Sequence, residues 1–261
     1  MDAALWVSKT GLDAQQTRMN VISNNLANVS TTGFKRDRAV FEDLLYQTIR
    51  QAGGLTTANT QSPTGLMLGT GTKVVATEKL HLQGNLINSQ NPLDVAIMGN
   101  GFFQIQQQDG TIAYSRDGAF KLTGTGQLVT STGFFLEPNI TIPANAASLT
   151  IGRDGTVSVE LVAGQGQQVL GQIQIATFIN PSGLKPLGNN LLAATASSGP
   201  VVLLQPGTVG AGVLNQGSLE ASNVNVVEEM VNMIETQRAY EINSKTIEAV
   251  DGMLKYLNQN L

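Results

Sequence analysis

The stretch VVEEMVNMIETQRAYEINSKTIEAVDGMLKYLNQ, residues 226–259, decides the fold of this chain. It contains no proline and a single glycine, Gly252, so nothing in its interior stops a helix. Asn225 precedes it with a side chain that suits an N-cap, and Glu228 follows three residues later, as in a capping box. We therefore predict one long helix over residues 226–259, capped by Asn225 and Glu228.

Apolar residues recur along this stretch every seven positions, which is the period of a left-handed coiled coil. The stripe is narrow, because polar residues such as Gln237 and Ser244 occupy the place of a second apolar row. A narrow stripe favours pairing with other helices in a subunit interface. The residues that we expect in this interface are Val226, Met230, Met233, Tyr240, Ile247, Val250, Leu254 and Leu257.

The start of the chain carries a matching pattern, again with apolar positions seven residues apart. It predicts a helix from about Ala3 to Ala27, roughly 38 Å long, whose stability must come from packing its stripe. The helix should stop in NNLANVSTTGFKR, residues 24–36, where Asn28 favours a turn and Gly33 can adopt the left-handed conformation. Its expected interface residues are Leu5, Leu12, Met19, Ile22 and Leu26.

A second interpretation of the two helices stays open, in which both pack on a β core of the same molecule. Helices that face a core usually show an apolar arc of about 100° or more. The narrow stripes argue against that interpretation and favour contacts between molecules.

The middle of the chain is typical of short antiparallel strands, with turn signals at intervals of about eight residues. These signals include Asp109-Gly110, Asp117-Gly118 and Asp154-Gly155. Before the strands, residues 39–50 predict a short helical patch, and residues 51–72, rich in Thr and Gly, predict an extended segment.

The expected fold class is α+β, with the terminal helices forming a coiled-coil domain and an antiparallel β domain inserted between them. The predicted domains are the terminal helices (1–30 and 226–261), an extended connecting region (31–72 and 212–225) and the inserted β domain (73–211).

Composition excludes several classes of function. The formal net charge is -4 and the sequence pI is about 5.0, so no basic field would attract nucleic acid. The short basic cluster of Lys35, Arg36 and Arg38 is interpreted as a solvated face. The chain has no cysteine, no cleavable signal peptide and no transmembrane segment, so it should stay in the cytoplasm unless it leaves by another route.

The sequence offers no catalytic, cofactor-binding or metal-binding site. His81 is the only histidine, which excludes a histidine metal cluster and favours a packed or surface role. Asp94, Asp109, Asp117 and Asp154 would be the candidates for a pair of glycosidase carboxylates. Three of them precede glycine, where aspartate commonly serves a turn. We expect no enzyme and no cofactor.

Three segments carry a resemblance to a known family. LWVSKTGLDAQQTRMNVISNNLANVSTTGFKR (5–36) and the stretch from Ser222 to Gln259 resemble the terminal signatures of bacterial flagellar rod and hook proteins. NGFFQI (100–105) and YSRDGAFKLTGTGQLVT (114–130) are similar to the middle of that family. Residues 41–86 resemble the members that form the distal rod more than they resemble the hook protein.

This resemblance implies a structural subunit that polymerises into a hollow, periplasm-spanning shaft and transmits torque from the motor to the hook. It implies an inner tube of terminal helices and an outer β domain. The implied partners are further copies of the chain, proximal rod proteins, the hook protein, the peptidoglycan-ring and outer-membrane-ring proteins, and the flagellar export apparatus, which would export the chain without a cleaved signal. The alternatives are a hook or proximal rod subunit, a secreted glycan-active enzyme, and an adhesin with a coiled-coil stalk.

Overall fold

A computed structural model describes residues 2–51, 55–57, 60–61, 64–161 and 166–259. The fold is α+β, as predicted, with helix α1 (Asp2–Ala27) and helix α2 (Val226–Gln259) at the two ends of the chain and short strands between them. Neither helix, over its described residues, is long and apolar enough to span a membrane.

The strands run in chain order as β1 (Asp37–Asp43), β2 (Tyr46–Arg50), β3 (Leu55–Thr57), β4 (Thr60–Gln61), β5 (Leu66–Gly69), β6 (Thr72–Lys79), β7 (Leu86–Asn88), β8 (Val95–Met98), β9 (Phe103–Gln106), β10 (Ile112–Ser115), β11 (Lys121–Leu122), β12 (Leu128–Val129), β13 (Phe135–Glu137), β14 (Ala146–Ile151), β15 (Thr156–Leu161), β16 (Gln167–Gln172), β17 (Ile175–Thr177), β18 (Lys185–Gly188), β19 (Leu191–Ala193), β20 (Val202–Leu204), β21 (Val213–Gln216) and β22 (Ser218–Glu220). A single 3₁₀ turn (Pro181–Gly183) follows β17.

The chain divides into two compact units. Unit 1 comprises residues 1–26, 37–78 and 225–261, and unit 2 comprises residues 27–36 and 79–224. Each unit is assembled from segments that are distant in sequence. Unit 1 contains both helices, and unit 2 contains most of the strands.

In unit 1 the predicted helical patch over residues 39–50 is wrong, because this segment forms β1 and β2. β1 pairs with β6, and β2 pairs antiparallel with β5, with Tyr46 opposite Gly69. Tyr46, Thr48 and Ile49 are residue types that favour strands. Their hydrogen-bonding partners lie some twenty residues further along, which a local helical pattern does not reveal. Of the predicted extended segment, residues 52–54, 58–59 and 62–63 lie outside the described part of the chain.

Unit 2 is built on a seven-stranded sheet in the order β11-β12-β13-β9-β10-β19-β18, accompanied by the three-stranded sheet β14-β15-β16 and several strand pairs. The registered pairs are antiparallel, which confirms the prediction of short antiparallel strands. Predicted turns lie where expected: Asp109-Gly110 joins β9 to β10, and Asp154-Gly155 joins β14 to β15.

The core of unit 2 lies against this sheet. Inward-facing residues of β8, β9 and β13 are fully buried, among them Ile97, Phe103 and Leu136. Phe103 packs edge-on against Phe120 with ring centroids 5.1 Å apart. A smaller cluster of buried residues forms beside it from Phe102, Tyr114, Ala176, Leu184 and Leu192.

Candidate assembly surface

The helices of unit 1 carry the residues that the sequence predicts for subunit contacts. These residues differ in how far they are buried within the single chain. On α1, Ile22 is buried, whereas Leu5, Leu12, Met19 and Leu26 are half-buried. On α2 the half-buried members are Met233, Ile247, Val250 and Leu254, and the exposed members are Val226, Met230 and Tyr240. The side chain of Leu257 lies outside the described part of the chain.

The two helices meet inside unit 1 through polar and small residues. Arg18 donates a 3.3 Å hydrogen bond to Asn232 and lies 3.8 Å from the carboxylate of Glu235. Seven positions earlier on α1, a β-carbon added to Gly11 would lie 3.1 Å from the amide nitrogen of Asn243. Later residues of α1 therefore contact earlier residues of α2, so the helices run antiparallel at these points.

The most buried residues of α2 are also polar. Glu229 and Thr236 are almost completely buried, and the Thr236 hydroxyl donates a 2.6 Å bond to the Asn232 carbonyl of its own helix. The seven-residue apolar pattern includes neither residue, so the sequence did not reveal that polar side chains form part of the covered face.

The opposite side of α2 carries exposed apolar side chains, with the exposed charged residues Arg238, Glu241 and Lys245 among them. Val227 is 71% exposed and Tyr256 is 68% exposed. At 3.6 residues per turn, this set of exposed apolar residues falls within an arc of roughly 140°. We call it the α2 apolar face, and its members are Val227, Met230, Val231, Ile234, Ile242, Met253 and Tyr256. The signal was present in the sequence as apolar residues at positions 227, 231 and 234, but a search for one seven-residue row does not find it.

A second exposed apolar surface of unit 1 is the ribbon formed by β2 and β5. Every residue of both strands is exposed, and Leu45, just before β2, is 88% exposed. The large apolar side chains of the ribbon are Tyr46, Ile49, Leu66, Met67 and Leu68. A two-stranded ribbon with both faces in solvent has little to stabilise it in water.

Of the predicted cap residues, Asn225 lies at the start of α2 and Asn28 lies just after the end of α1. The Asn225 side-chain oxygen accepts bonds from the backbone N–H groups of Val227 (3.1 Å) and Glu228 (3.4 Å), which is the geometry of an N-cap. Asn28 follows the last residue of α1, and its carbonyl accepts the N–H of Thr31.

Gly33 lies beyond the helix, where two segments of unit 2 approach closely. Its φ is +67°, and an added β-carbon would lie 2.7 Å from the Asp117 nitrogen. Its own N–H donates a 2.8 Å bond to the Glu220 carbonyl. The glycine is therefore required by a close backbone approach that the sequence did not reveal.

A buried ion cluster centred on Glu220 holds unit 2 together. The Glu220 carboxylate is 2.6 Å from Lys35 Nζ and 2.5 Å from Arg116 Nε, and it also accepts the N–H of Gly84 at 2.8 Å. The Lys35 side chain is only 5% exposed, so its interpretation as part of a solvated face is wrong. Arg38, in contrast, is exposed and pairs with Glu78.

The protonation of this cluster follows from burial and charge. Burial alone would raise the pKa of Glu220, but the charges of Arg116 and Lys35 outweigh it and hold that pKa below its ordinary value. Burial lowers the pKa of Lys35, although its bond to Glu220 opposes the change. Arg116 also donates to the carbonyls of Gly101, Ile97 and Gly99, so the cluster also holds the end of β8 and the turn that follows it.

His81 lies close to this cluster as a packed aromatic residue. Its ring is edge-on to Phe102 with centroids 5.4 Å apart. Burial, followed by the charges of Lys35, Lys79 and Arg116, lowers its pKa to about 4. At neutral pH it is therefore uncharged.

The four aspartates considered for catalysis are engaged in turns and structural hydrogen bonds. Asp109 and Asp154 each accept bonds from a threonine two residues later, and these bonds lower both pKa values. Asp94 accepts from Asn91, and Asp117 accepts from Thr32. Over the part of the chain that the structure describes, no three His, Cys, Asp or Glu residues are grouped so as to hold a metal ion.

Comparisons with known proteins match three parts of the chain to family models. Residues 5–35 match the flagella basal body rod protein model, residues 96–159 the flagellar hook protein FlgE/F/G D1 domain, and residues 215–260 the flagellar basal body rod FlgEFG protein C-terminal model.

Full-length relatives agree with these matches. The flagellar basal-body rod protein FlgG of Buchnera aphidicola subsp. Acyrthosiphon pisum is 58% identical over 260 residues, covering 99% of this chain and 100% of the relative. The proteins of the same name from Borreliella burgdorferi and Bacillus subtilis are 49% and 40% identical, covering 99% and 97% of this chain and 98% and 97% of the relatives.

Proposed function

We propose, from the premise that the chain belongs to the family of flagellar basal-body rod proteins, that it assembles into the hollow helical shaft of the distal rod and transmits torque from the motor to the hook. Family membership establishes that it is a structural component of the flagellar basal body and not an enzyme, as the sequence predicts. The alternative of a glycan-active enzyme has no support.

The observation that carries the proposal is the α2 apolar face. A helix of a soluble protein normally buries its apolar side against a core and turns its polar side to solvent. In this chain α2 turns Glu229 and Thr236 inward and exposes Val227, Val231 and Ile234. Further copies of the chain that cover these exposed apolar side chains would remove them from water.

Covering this face supplies the free energy of assembly. Each large apolar side chain that becomes fully buried contributes about 1.5–3 kcal/mol, which offsets the entropy of about 1–2 kcal/mol lost for each residue that is fixed. We propose that the terminal helices are ordered as subunits add to the growing end. Contacts between unlike surfaces that do not close into a ring then extend into a helical tube.

The proposed architecture follows the predicted domains. Residues 1–30 and 226–261 form a coiled-coil inner tube, and the inserted β domain of residues 73–211 lies outside it. Residues 31–72 and 212–225 form the extended region that connects the two. The predicted seam residues, among them Leu12, Met19 and Leu254, take part in the inner tube. The exposed β2–β5 ribbon supports a bridging role for the segment 51–72, which would contact a neighbouring subunit and stiffen the shaft.

The proposed partners are further copies of the chain, proximal rod proteins, the hook protein, the peptidoglycan-ring and outer-membrane-ring proteins, and the export apparatus. The proposed route is export without a cleaved signal into a periplasm-spanning rod. A hook or proximal rod subunit is the alternative within the family.

Electron microscopy of purified basal bodies tests the proposal directly. A chain carrying a small electron-dense tag on unit 2 should decorate the straight shaft beneath the hook at regular intervals. Decoration of a curved polymer beyond the shaft would identify a hook protein instead. Deleting residues 51–72 should give a shaft that bends more easily, and an equally straight, rigid shaft would contradict the bridging role.

A further inference from the structure

The chain passes between unit 1 and unit 2 at four places, between residues 26 and 27, 36 and 37, 78 and 79, and 224 and 225. On the unit 2 side, three of the segments that lead to these crossings are bonded to one another. We call residues 33–36, 79–84 and 220–224 the boundary segments. The Leu80 N–H donates to the Arg36 carbonyl at 2.9 Å, and the Asn223 N–H donates to the Phe34 carbonyl at 3.4 Å. Force that the covalent chain carries out of unit 2 therefore passes along segments that contact each other.

The side chain of Asn223 bonds to both of the other boundary segments. Its oxygen Oδ1 accepts the Arg36 N–H at 2.7 Å. Its nitrogen Nδ2 donates to the carbonyls of Leu80 at 2.8 Å and Leu82 at 3.1 Å. An asparagine amide offers two N–H donors and a carbonyl acceptor, and here each of these groups is engaged. A reversed amide would place oxygen against oxygen, so the network fixes its orientation.

The buried ion pair of Lys35 and Glu220 joins the same three segments next to Asn223. Lys35 Nζ donates at 2.7 Å to the Leu82 carbonyl, which Asn223 also reaches. The Glu220 carboxylate accepts from Lys35 in the first boundary segment and from the Gly84 N–H in the second. Two adjacent cross-links, one ionic and one neutral, therefore hold the boundary segments together.

Asn223 lies closer in sequence to the crossings than the ion pair does. Arg36 is the last residue of its segment, Leu80 is the second residue of its own, and Asn223 is the last but one of its own. The Asn223 side chain is not needed for the cap of α2, because Asn225 supplies that cap. The side-chain bonds of Asn223 therefore serve the boundary segments.

We propose that Asn223 is the positioning residue that makes unit 2 resist mechanical load, by holding the three boundary segments together where the chain leaves the unit. The inference rests on the proposed function, because a shaft that transmits torque places each subunit under force. Bonds that join three segments at one point share a load, whereas segments without a cross-link bear it separately. Resistance to force depends on the rate of unfolding and not on equilibrium stability alone. The loss of Asn223 should therefore weaken the loaded subunit far more than the resting one.

Amide hydrogen exchange of the purified monomer tests the cross-link itself. Asn223→Ala removes the three side-chain bonds, and Asn215→Ala is the matched control. Asn215 is half-buried like Asn223 and lies in the same unit, but its amide donates to Ser218, three residues away. For Asn223→Ala we expect exchange of the Arg36 and Leu80 amides to accelerate about tenfold more than that of the core strand β9. For Asn215→Ala the same amides should change to a similar extent.

A second variant separates the donated bonds from the accepted one. Asn223→Asp keeps the shape of the side chain and the acceptor for the Arg36 N–H. It replaces Nδ2 by an oxygen that faces the carbonyls of Leu80 and Leu82, which loses both donated bonds and leaves oxygen against oxygen. At neutral pH, exchange of the Leu80 amide should therefore be faster in Asn223→Asp than in Asn223→Ala. The reverse order would show that the donated bonds do not hold the segments.

Swimming at two viscosities tests the mechanical role. In dilute buffer, cells that carry Asn223→Ala should swim like Asn215→Ala cells, because few bonds are lost and the melting temperature of the chain falls by only a few degrees. In methylcellulose solution about ten times as viscous, the load on the shaft rises, and the Asn223→Ala cells should swim at about half the speed of the control or less.

Three results would overturn the inference. The first is unchanged exchange of the Arg36 and Leu80 amides in Asn223→Ala. The second is equal acceleration of these amides and those of β9, which would mean a general structural role. The third is a ratio of swimming speeds between variant and control that is the same at both viscosities, which would contradict the mechanical role and leave the proposed function intact. A tagged chain that does not decorate the shaft would contradict the proposed function and the mechanical role with it, whereas the exchange measurements would still decide whether the cross-link exists.

Discussion

Lys35 and Glu220, 185 positions apart in the chain, are joined by a 2.6 Å ion pair that is almost completely buried in unit 2. Lys35 follows the first helix closely in sequence, and Glu220 ends the last strand. Arg116 binds the other carboxylate oxygen at 2.5 Å, so one acid satisfies two buried cations. The pair therefore links the short first segment of unit 2, residues 27–36, to the end of its long second segment, residues 79–224.

Replacing Glu220 by glutamine should destabilise unit 2 strongly. The amide keeps the shape but removes the charge that balances Lys35 and Arg116, and a buried ion that loses its partner costs about 3 kcal/mol or more. Glu160→Gln is the control, because Glu160 is exposed in the same unit and should change stability by less than about 0.5 kcal/mol. Urea unfolding followed by circular dichroism measures both, and equal midpoints would contradict a stabilising role for the cluster.

Stability should fall between pH 6.5 and pH 4 because of His81. Its pKa is about 4 in the folded chain against 6.5 ordinarily, so over this range the unfolded chain binds more protons than the folded one. The stabilisation is fully present above pH 6.5 and is lost as the pH falls toward 4, by up to about 3 kcal/mol. Burial disfavours the charged ring most, and the positive charges of Lys35, Lys79 and Arg116 add to that effect.

The variant His81→Phe tests this expectation, since phenylalanine keeps an aromatic contact with Phe102 and cannot be protonated. Urea unfolding at pH 7, 6, 5 and 4 should show a shallower loss of stability for the variant than for the parent chain. Glu220 acts in a lower window, because its pKa lies below the ordinary 4.5 and its contribution is lost only under stronger acid. Identical slopes for both proteins would mean that the histidine is not the titrating group.

Gly33→Ala should lower the stability of the folded chain far more than a typical replacement of a glycine at positive φ. The added β-carbon would lie 2.7 Å from the Asp117 nitrogen and 2.8 Å from the Arg116 carbonyl carbon, both backbone atoms that cannot move aside. Gly110→Ala is the matched control, because Gly110 has φ +81° and nothing within 4 Å of the added atom. The control carries only the conformational cost of about 1 kcal/mol. Thermal unfolding should show that Gly33→Ala is less stable than Gly110→Ala by at least about 2 kcal/mol.

Local signals explain why the helices and turns were predictable. The cap at Asn225 and the proline-free run after it act over a few residues, and the structure gives α2 the predicted bounds. The aspartate–glycine turns act equally locally. The prediction for residues 39–50 was wrong because strand pairing with residues 66–79 decides their conformation. Pairing with such a distant segment gives no signal in the local sequence.

The burial of Lys35 could not be predicted for the same reason. A lysine within GFKR is expected to be solvated unless an acidic side chain pairs with it. Its partner, Glu220, lies at the other end of unit 2 in sequence. The seven-residue rows did locate the helices that carry the candidate surface. They did not separate the side of α2 that unit 1 covers from the side that it leaves open, because both sides contain apolar residues.

Removing apolar surface from the α2 apolar face should block assembly without unfolding the subunit. Ile234→Asn takes a large side chain from the centre of the face, and because Ile234 is half exposed, the melting temperature of the monomer should fall by only a few degrees. Gln237→Asn is the control: it introduces the same residue at an exposed position of the same helix and removes no apolar side chain. Purified Ile234→Asn should form no polymer that sediments, and cells that carry it should not swim. Gln237→Asn should polymerise and support swimming. Normal rods and normal swimming in the Ile234→Asn cells would show that no neighbouring subunit covers this face.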